Sequence, residues 1–181
     1  MTTVETERLI LRPAIEADRS RMVELFTDPA FTVYSDETHD LASANARFDR
    51  FVALAGAIPY AKQPVIEKAS GRILGYTGVG TVVFDGVNRL EWGWRLDASA
   101  RGKGYATEAT AALLTVADGV ADGEMLCLID PENAPSRRVA DKVGFRWWQR
   151  YVWPDGVDGP TDLLLRPIGA GGEPLLAPDL P

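Results

Sequence analysis

The spacing of the hydrophobic residues changes along the chain. In IEADRSRMVELFTDP and LASANARFDRFVALAGAI, apolar residues recur every three or four positions, which predicts two helices after an opening strand in ETERLILRP. The next segments, YAKQPVIEK, GRILGYTGVGTVVFD and NRLEWGWRLD, are rich in aromatic and β-branched residues and are separated by turn signals. The first half is therefore predicted to contain a strand, two helices and three antiparallel strands.

The second half alternates helices with strands. Helical spacing returns over residues 106–120, and the apolar run EMLCLID predicts a strand buried on both faces. ENAPSRRVADKVGF predicts a short helix with Asn133 as its N-cap and Gly144 at its exit, and FRWWQRYVWPDGVDGPTDLLLRP predicts two closing strands. The result is a mixed α/β chain in the order β-α-α-β-β-β-α-β-α-β-β. We expect one domain over residues 1–168 and a loosely ordered Gly/Pro-rich tail over 169–181.

Composition narrows the class of protein. The 181 residues, 46% hydrophobic and 25% charged, suit one globular domain, and a net charge of −7 without a basic run argues against nucleic-acid binding. The sequence predicts neither a signal sequence nor a membrane span, so we expect a cytoplasmic protein. Cys127 is the only cysteine and is predicted to be a buried, inert thiol, whereas the single histidine, His39, argues against a multi-histidine metal site.

A glycine-containing loop in DASARGKGYATEA separates a predicted strand from a predicted helix. It is not a P-loop, because Lys103 is followed by Gly104, and it is not a dinucleotide fingerprint, because Thr107 occupies the position of the third glycine. Glycines before a helix N-terminus nevertheless favour close approach of an anion, and Arg101 and Lys103 add positive charge. The alternative is a turn that binds nothing.

Three blocks of the sequence resemble GNAT-superfamily N-acetyltransferases, and in particular the RimJ/RimL type, which acetylates the N-termini of ribosomal proteins. They are TERLILRP, GWRLDASARGKGYATEA and ENAPSRRVADKVGF, and they cover most of the chain in the family's order. The loop Arg101-Gly102-Lys103-Gly104-Tyr105-Ala106 matches the family's pyrophosphate pattern. The resemblance implies the GNAT fold, with a mostly antiparallel sheet of about seven strands and about four helices, and acetyl-CoA as co-substrate with no metal.

The resemblance also assigns residues to the donor. The pyrophosphate is expected on the backbone N–H groups of Arg101, Gly102, Lys103, Gly104, Tyr105, Ala106 and Thr107. The pantetheine is expected along the backbone of Trp94, Arg95 and Leu96, with a further hydrogen bond from Asn133.

Two residues are candidates for the chemistry. An alkyl ammonium must lose a proton before it attacks a thioester, and Glu91 is the candidate base, at a position where the RimJ/RimL type often has Glu. The family's tyrosine acid is replaced by Ala140, so Ser136 is the candidate donor to the leaving thiolate. The alternatives are a solvated carboxylate at Glu91 and, at Ser136, a hydroxyl bonded to its own backbone.

Candidates for the acceptor site are weaker. They lie in TVYSDETHD, where acidic residues suit a cationic acceptor, and in the aromatic stretch near the C-terminus: Tyr34, Asp36, Glu37, His39 and Trp148. A solvated loop is the alternative for the first four. Strand alternation puts Trp148 on the opposite face from Trp147 and Tyr151.

The sequence thus predicts an N-acetyltransferase in which a protein N-terminus or a small amine attacks acetyl-CoA directly in a ternary complex. We expect a monomer or a homodimer without a membrane or nucleic-acid partner. Two other classes stay open, a non-catalytic acyl-CoA-binding regulatory module and a structural interaction domain.

Overall fold

The computed structural model describes residues 3–34, 40–154 and 159–178. The helices of this part are α1 (Arg19–Thr27), α2 (Leu41–Ala57), α3 (Tyr105–Asp118) and α4 (Ala134–Lys142). The strands are β1 (Val4–Glu5), β2 (Leu9–Leu11), β3 (Gln63–Glu67), β4 (Ile73–Phe84), β5 (Val87–Leu96), β6 (Gly123–Ile129), β7 (Arg146–Tyr151) and β8 (Thr161–Ile168).

All eight strands form one sheet in the order β1-β2-β3-β4-β5-β6-β8-β7. Neighbouring strands are antiparallel except for β5 and β6, which are parallel. The predicted mixed α/β fold with four helices and a mostly antiparallel sheet is confirmed. The prediction of about seven strands was one short, because the two-residue strand β1 pairs with β2.

Helices cover the two faces of the sheet, as the alternation of side chains along β4 shows. Tyr76 packs against Phe26 of α1 and Phe51 of α2, with ring centroids 6.2 Å and 5.1 Å away. The next residue, Thr77, points to the opposite face, where its hydroxyl lies 2.9 Å from that of Thr110 in α3. The chain thus has two apolar layers, one on each side of the sheet.

The C-terminal tail contradicts the expectation of loose order. Residues 173–177 lie between the first residues of β5 and of β6, joined by isolated bridges of Leu176 to Arg89 and of Pro174 to Glu124. Leu175 donates its N–H to the carbonyl of Glu124 at 3.0 Å and accepts from the N–H of Leu90 at 2.9 Å. The Gly and Pro content obscured this short extended segment, because neither residue type favours a strand.

A buried carboxylate joins the last three elements. Asp162 of β8 is 3% exposed and accepts hydrogen bonds from Arg137 of α4, from Arg150 Nε of β7 at 2.9 Å and from Trp147 Nε1 at 3.3 Å. The hydrogen bond from Arg150 outweighs burial, and the pKa of Asp162 lies below its ordinary value of 3.8. The ionised form therefore stabilises the fold.

We expect Asp162→Asn to lower the free energy of unfolding by about 2 kcal/mol at pH 7, because the buried side chain loses its charge while its two arginine partners, 27% and 55% exposed, keep theirs. A carboxyl group with a lowered pKa contributes stability above its unfolded pKa and loses it as pH falls through the folded value. The difference between the two proteins should therefore narrow below about pH 4. Urea unfolding at pH 7 and at pH 3 measures it.

Asp118→Asn is the matched control. Asp118 also forms a two-pronged pair with one arginine, Arg166, at 2.8 Å and 2.9 Å, but its side chain is 36% exposed. Its loss should cost about 1 kcal/mol or less. Equal losses in the two variants would contradict a special role for the buried carboxylate.

Candidate active site

The two parallel strands in the middle of the sheet pair at a single position. Glu91 of β5 lies opposite Leu126 of β6, whereas β4 pairs with β5 along its whole length. Beyond Glu91, the edge of β5 that faces β6 has no strand partner among the described residues. Of the three residues predicted to pair with pantetheine, Trp94 and Leu96 turn their backbone groups to this edge. The backbone groups of Arg95 point to β4 instead, because alternate residues of a strand face opposite sides. An open strand edge suits an extended chain that adds backbone hydrogen bonds.

The loop after β5 offers a row of backbone donors. Gly102 and Gly104 adopt left-handed backbone angles, with φ of 75° and 82°, and α3 begins directly after them without a side-chain cap. In the described part of the chain, the N–H groups of residues 102–107 have no acceptor. Such donors at a helix N-terminus favour an anion. The loop therefore fits the pyrophosphate of acetyl-CoA.

We expect Gly102→Val to weaken acetyl-CoA binding by about tenfold or more. A β-branched side chain at φ 75° costs about 1–2 kcal/mol of backbone strain, and the backbone can relieve that strain only by turning its N–H groups away. Gly86→Val is the matched control, because Gly86 has φ 73° and the same open surroundings but lies in the β4–β5 turn. Calorimetric titration with acetyl-CoA should separate the two, and equal affinities would contradict the loop assignment.

The side chain of Arg101 makes its hydrogen bonds to other residues of the protein. Its Nε donates to the carbonyl of Leu96 at 3.1 Å and its Nη2 to that of Ala30 at 2.5 Å. Its backbone N–H donates to Ala98 at 3.3 Å. These bonds anchor the loop to the end of β5, so the free donors begin one residue later, at Gly102.

Arg8, which was not predicted as a functional residue, contacts the same loop. Its Nη1 donates to the carbonyl of Lys103 at 3.0 Å, and its guanidinium lies 4.5 Å from the ring centroid of Tyr105. Its Nη2 lies 2.6 Å from Glu108 of α3. Arg8 belongs to the motif TERLILRP, which contributed to the resemblance, and these contacts give a physical reason for an arginine at this position.

Glu91 lies at the point where β5 and β6 separate. Its carboxylate lies 3.4 Å from the ammonium of Lys62, and the two side chains are 15% and 16% exposed. Two glycines provide the space: a Cβ at Gly80 would lie 2.6 Å from Lys62 Nζ, and one at Gly93 would lie 3.3 Å from Glu91 Oε1. Lys62 was not predicted, although glycines inside a strand indicate close approach of another group.

Asn133 and Ser136 lie at the start of α4, as predicted. The Oδ1 atom of Asn133 accepts from the N–H of Ser136 at 3.0 Å, which confirms the N-cap and leaves the amide NH₂ group as the donor for a ligand. Ser136 is half-buried, and its hydroxyl has no hydrogen-bond partner in the described ranges. The alternative, a hydroxyl bonded to its own backbone, is therefore wrong.

The predicted alternation in the aromatic stretch is wrong. A β-bulge between Trp147 and Gln149 shifts the register of β7. Trp148 and Tyr151 consequently share a face and contact Phe84, with ring centroids 6.0 Å and 4.8 Å apart. A bulge inserts one extra residue, which the period-two pattern does not reveal.

The other acceptor candidates are only partly described. Phe84 pairs with Val87, so by strand alternation Phe84 and its neighbour Trp148 lie on the sheet face of Glu91. Tyr34 is exposed. Asp36, Glu37 and His39 lie outside the described residues.

Cys127 of β6 is buried and free, and burial raises the pKa of its thiol. The described residues contain no group of three or more His, Cys, Asp or Glu side chains that could hold a metal ion. None of the helices in the described ranges has the length and hydropathy to cross a bilayer.

The sequence and the fold are similar to those of known proteins. The family model for the acetyltransferase (GNAT) domain matches residues 8–146. The uncharacterized protein YkkB of Bacillus subtilis is 29% identical over 154 residues, 81% of this chain and 86% of that protein. An acetyltransferase from Agrobacterium tumefaciens has a TM-score of 0.77 at 24% identity, covering 92% of this chain and 94% of that one. RimL, a ribosomal L7/L12 α-N-protein acetyltransferase in complex with coenzyme A, has a TM-score of 0.74 at 16% identity, over 93% and 99%.

Proposed function

The chain belongs to the GNAT acetyltransferase family and is an acyl-CoA-dependent N-acetyltransferase, and we propose that its acceptor amine attacks acetyl-CoA directly within a ternary complex. One observation carries this proposal. A partly buried carboxylate, Glu91, lies at the junction where an open strand edge begins, and that edge leads into a loop with free N–H donors. A donor seated on the edge and the loop would present its acetyl group near the carboxylate.

The donor is held by the backbone in this proposal. Residues 102–107 bind the pyrophosphate through their N–H groups, the backbone groups of Trp94 and Leu96 hydrogen-bond the pantetheine, and the amide of Asn133 adds one further bond. The RimL structure is a complex with coenzyme A, which agrees with a coenzyme A derivative as ligand of this fold. The binding residues are proposed for this chain on its own geometry.

The chemistry is a single displacement. Glu91 accepts a proton from the acceptor ammonium, directly or through one water, and the neutral nitrogen forms a bond to the thioester carbon. A backbone N–H near Leu96 polarises the carbonyl, and the C–S bond breaks while the hydroxyl of Ser136 donates a hydrogen bond to the departing thiolate. The thiolate takes up the proton that the nitrogen loses as the amide forms. No covalent intermediate with the enzyme is involved, and holding the two substrates together supplies much of the rate.

The acceptor is a protein N-terminus or a small amine. Membership of the RimJ/RimL type would favour the first, since RimL is named for the N-terminus of a ribosomal protein. The proposal places the enzyme in the cytoplasm, as a monomer or a homodimer, where its free thiol stays reduced.

The test combines binding with turnover. Calorimetry should show acetyl-CoA binding below millimolar concentration, and an acceptor screen monitored by release of free thiol should find at least one amine that accelerates it. Binding without transfer to any amine would instead support an acyl-CoA-binding regulatory module. Absence of binding would refute every role that depends on acetyl-CoA.

A further inference from the structure

The sheet face that carries Glu91 is rich in positive charge, although the whole chain has a formal charge of −7. Arg89, Glu91 and Arg95 alternate along β5 and point to this face, and Lys62 lies over it. In the described part of the chain, these four residues form only one ion pair, the one between Lys62 and Glu91. Within the described ranges, Arg89 and Arg95 therefore have no carboxylate partner on this face.

Arg95 is the arginine on the open side of Glu91, where β5 has separated from β6. Its Nη1 atom is buried and has no hydrogen-bond partner among the described residues, and its guanidinium lies 5.9 Å from the ring centroid of Phe31. Many arginines elsewhere in the structure pair with carboxylates: Arg8, Arg12, Arg19, Arg21, Arg137, Arg150 and Arg166. A buried charged donor without an acceptor is costly to a fold, which indicates that its acceptor comes from a ligand.

The surroundings of Arg95 reinforce its charge. Tyr76, directly opposite on β4, is 2% exposed, and its hydroxyl oxygen accepts from Arg47 Nη2 at 3.0 Å. Burial raises the pKa of Tyr76, but the positive charges of Arg95, Arg47 and Lys62 outweigh burial and lower the pKa overall. The positive charges around this hydroxyl therefore favour an anionic partner for Arg95.

We propose that the acceptor is a small amine that also carries a carboxylate, and that Arg95 binds this carboxylate while the amine faces Glu91. The proposal rests on the function proposed above. Arg95 lies four positions after Glu91 on β5, so their Cα atoms are about 13 Å apart, a span that the two side chains and a molecule of amino-acid size fill together. A planar guanidinium matches a carboxylate with two parallel hydrogen bonds. Polyamines and aminoglycosides are disfavoured, because they bring further positive charge to this face.

Matched acceptors test the idea on the wild-type enzyme. The standard amino acids, each paired with its own carboxamide, are compared by release of free coenzyme A from acetyl-CoA, with spermidine and a peptide with a free N-terminus alongside. We expect the best amino acid to exceed its carboxamide in kcat/KM by about 10- to 100-fold, the worth of a hydrogen bond to a charged group.

Variants then assign the preference to one residue. Arg95→Gln should remove the preference for acid over carboxamide and raise KM for the acid, and Arg95→Lys, which keeps the charge without the fork, should restore part of it. Arg89→Gln is the control, because Arg89 lies on the same face on the other side of Glu91 and also has a buried nitrogen, Nε, without a partner. Its preference should match that of the wild type.

The outcomes separate this inference from the proposed function. The carboxylate site is overturned if kcat/KM for spermidine, the peptide or the carboxamides is at least as high as for every amino acid. That result would leave the acetyltransferase activity itself intact. Acetyl-CoA binding without transfer to any amine refutes the proposed function, and the acceptor site with it. If the preference for acids survives in Arg95→Gln but disappears in Arg89→Gln, then Arg89 binds the carboxylate and the proposed role of Arg95 is wrong.

Discussion

Glu91→Gln is expected to lower kcat by about 10²- to 10⁴-fold, the usual contribution of a positioned general base. An alkyl amine has a pKa near 10, so only about one molecule in a thousand is neutral at pH 7. Glutamine keeps the size of the side chain but accepts no proton, so the variant depends on the neutral amine already present. Acetyl-CoA binding should be unchanged, because the donor contacts proposed here are elsewhere on the backbone.

The pH profile distinguishes loss of a base from loss of structure. As pH rises from 7 to 10, the amine deprotonates by itself and the ratio of wild-type to variant kcat should shrink. A carboxylate that only orients Lys62 would give a ratio independent of pH. Retention of kcat within about threefold at pH 7 would remove Glu91 from the mechanism.

Lys62→Met provides the matched comparison for Glu91→Gln. Both variants break the 3.4 Å ion pair, whose side chains are 16% and 15% exposed, so both should lose a similar part of the folding free energy. Only the Glu91 variant loses the carboxylate. If the two variants lose kcat equally, the ion pair and not the base is what catalysis requires.

The elements were predictable from the sequence because the periodicity of their apolar residues is strong. Leu9 and Leu11 are fully buried on one face of β2, and the Asp85-Gly86 turn has positive φ at both residues, 51° and 73°, as a tight hairpin requires. The glycine loop before α3 was predictable for a similar reason, because glycines before a helix carry a local signal. These features depend on residues close together in sequence.

The electrostatics of the acceptor face were not predictable in the same way. Lys62, Tyr76 and Arg95 come from three segments, and only the pairing of β4 with β5 and the crossing of residue 62 over Gly80 bring them together. Net charge gave no guide to this face, because the whole chain carries −7 whereas Arg89, Arg95 and Lys62 lie beside Glu91. The bulge in β7 was hidden likewise, since its cause is the register with β8.

The tail shows how a segment without a secondary-structure signal can position a site. Residues 173–177 fill the gap between β5 and β6 on one side of the Glu91–Leu126 pair, and the other side of that pair stays open towards the donor loop. The tail therefore fixes how far the two strands are apart at their first residues. We expect this separation to set the width of the open part beyond Glu91.

Removal of residues 169–181 is accordingly expected to lower the free energy of unfolding by about 3 kcal/mol, from four backbone hydrogen bonds at about 1 kcal/mol each, partly offset by the entropy of a shorter ordered chain. The Kd for acetyl-CoA should rise as well, because the strand edge that binds pantetheine is no longer held apart. Urea denaturation and calorimetric titration measure the two effects.

A point substitution makes the same test without shortening the chain. A Cβ at Gly123, where φ is 153°, would lie 2.7 Å from the carbonyl oxygen of Glu173, so Gly123→Ala should displace the tail and reproduce both losses. Gly119→Ala is the control, because its Cβ would meet only ordinary contacts at 3.6 Å and its φ is −86°. If truncation and Gly123→Ala both destabilise the fold but leave acetyl-CoA binding as it was, the tail stabilises the sheet without setting the width of the donor site.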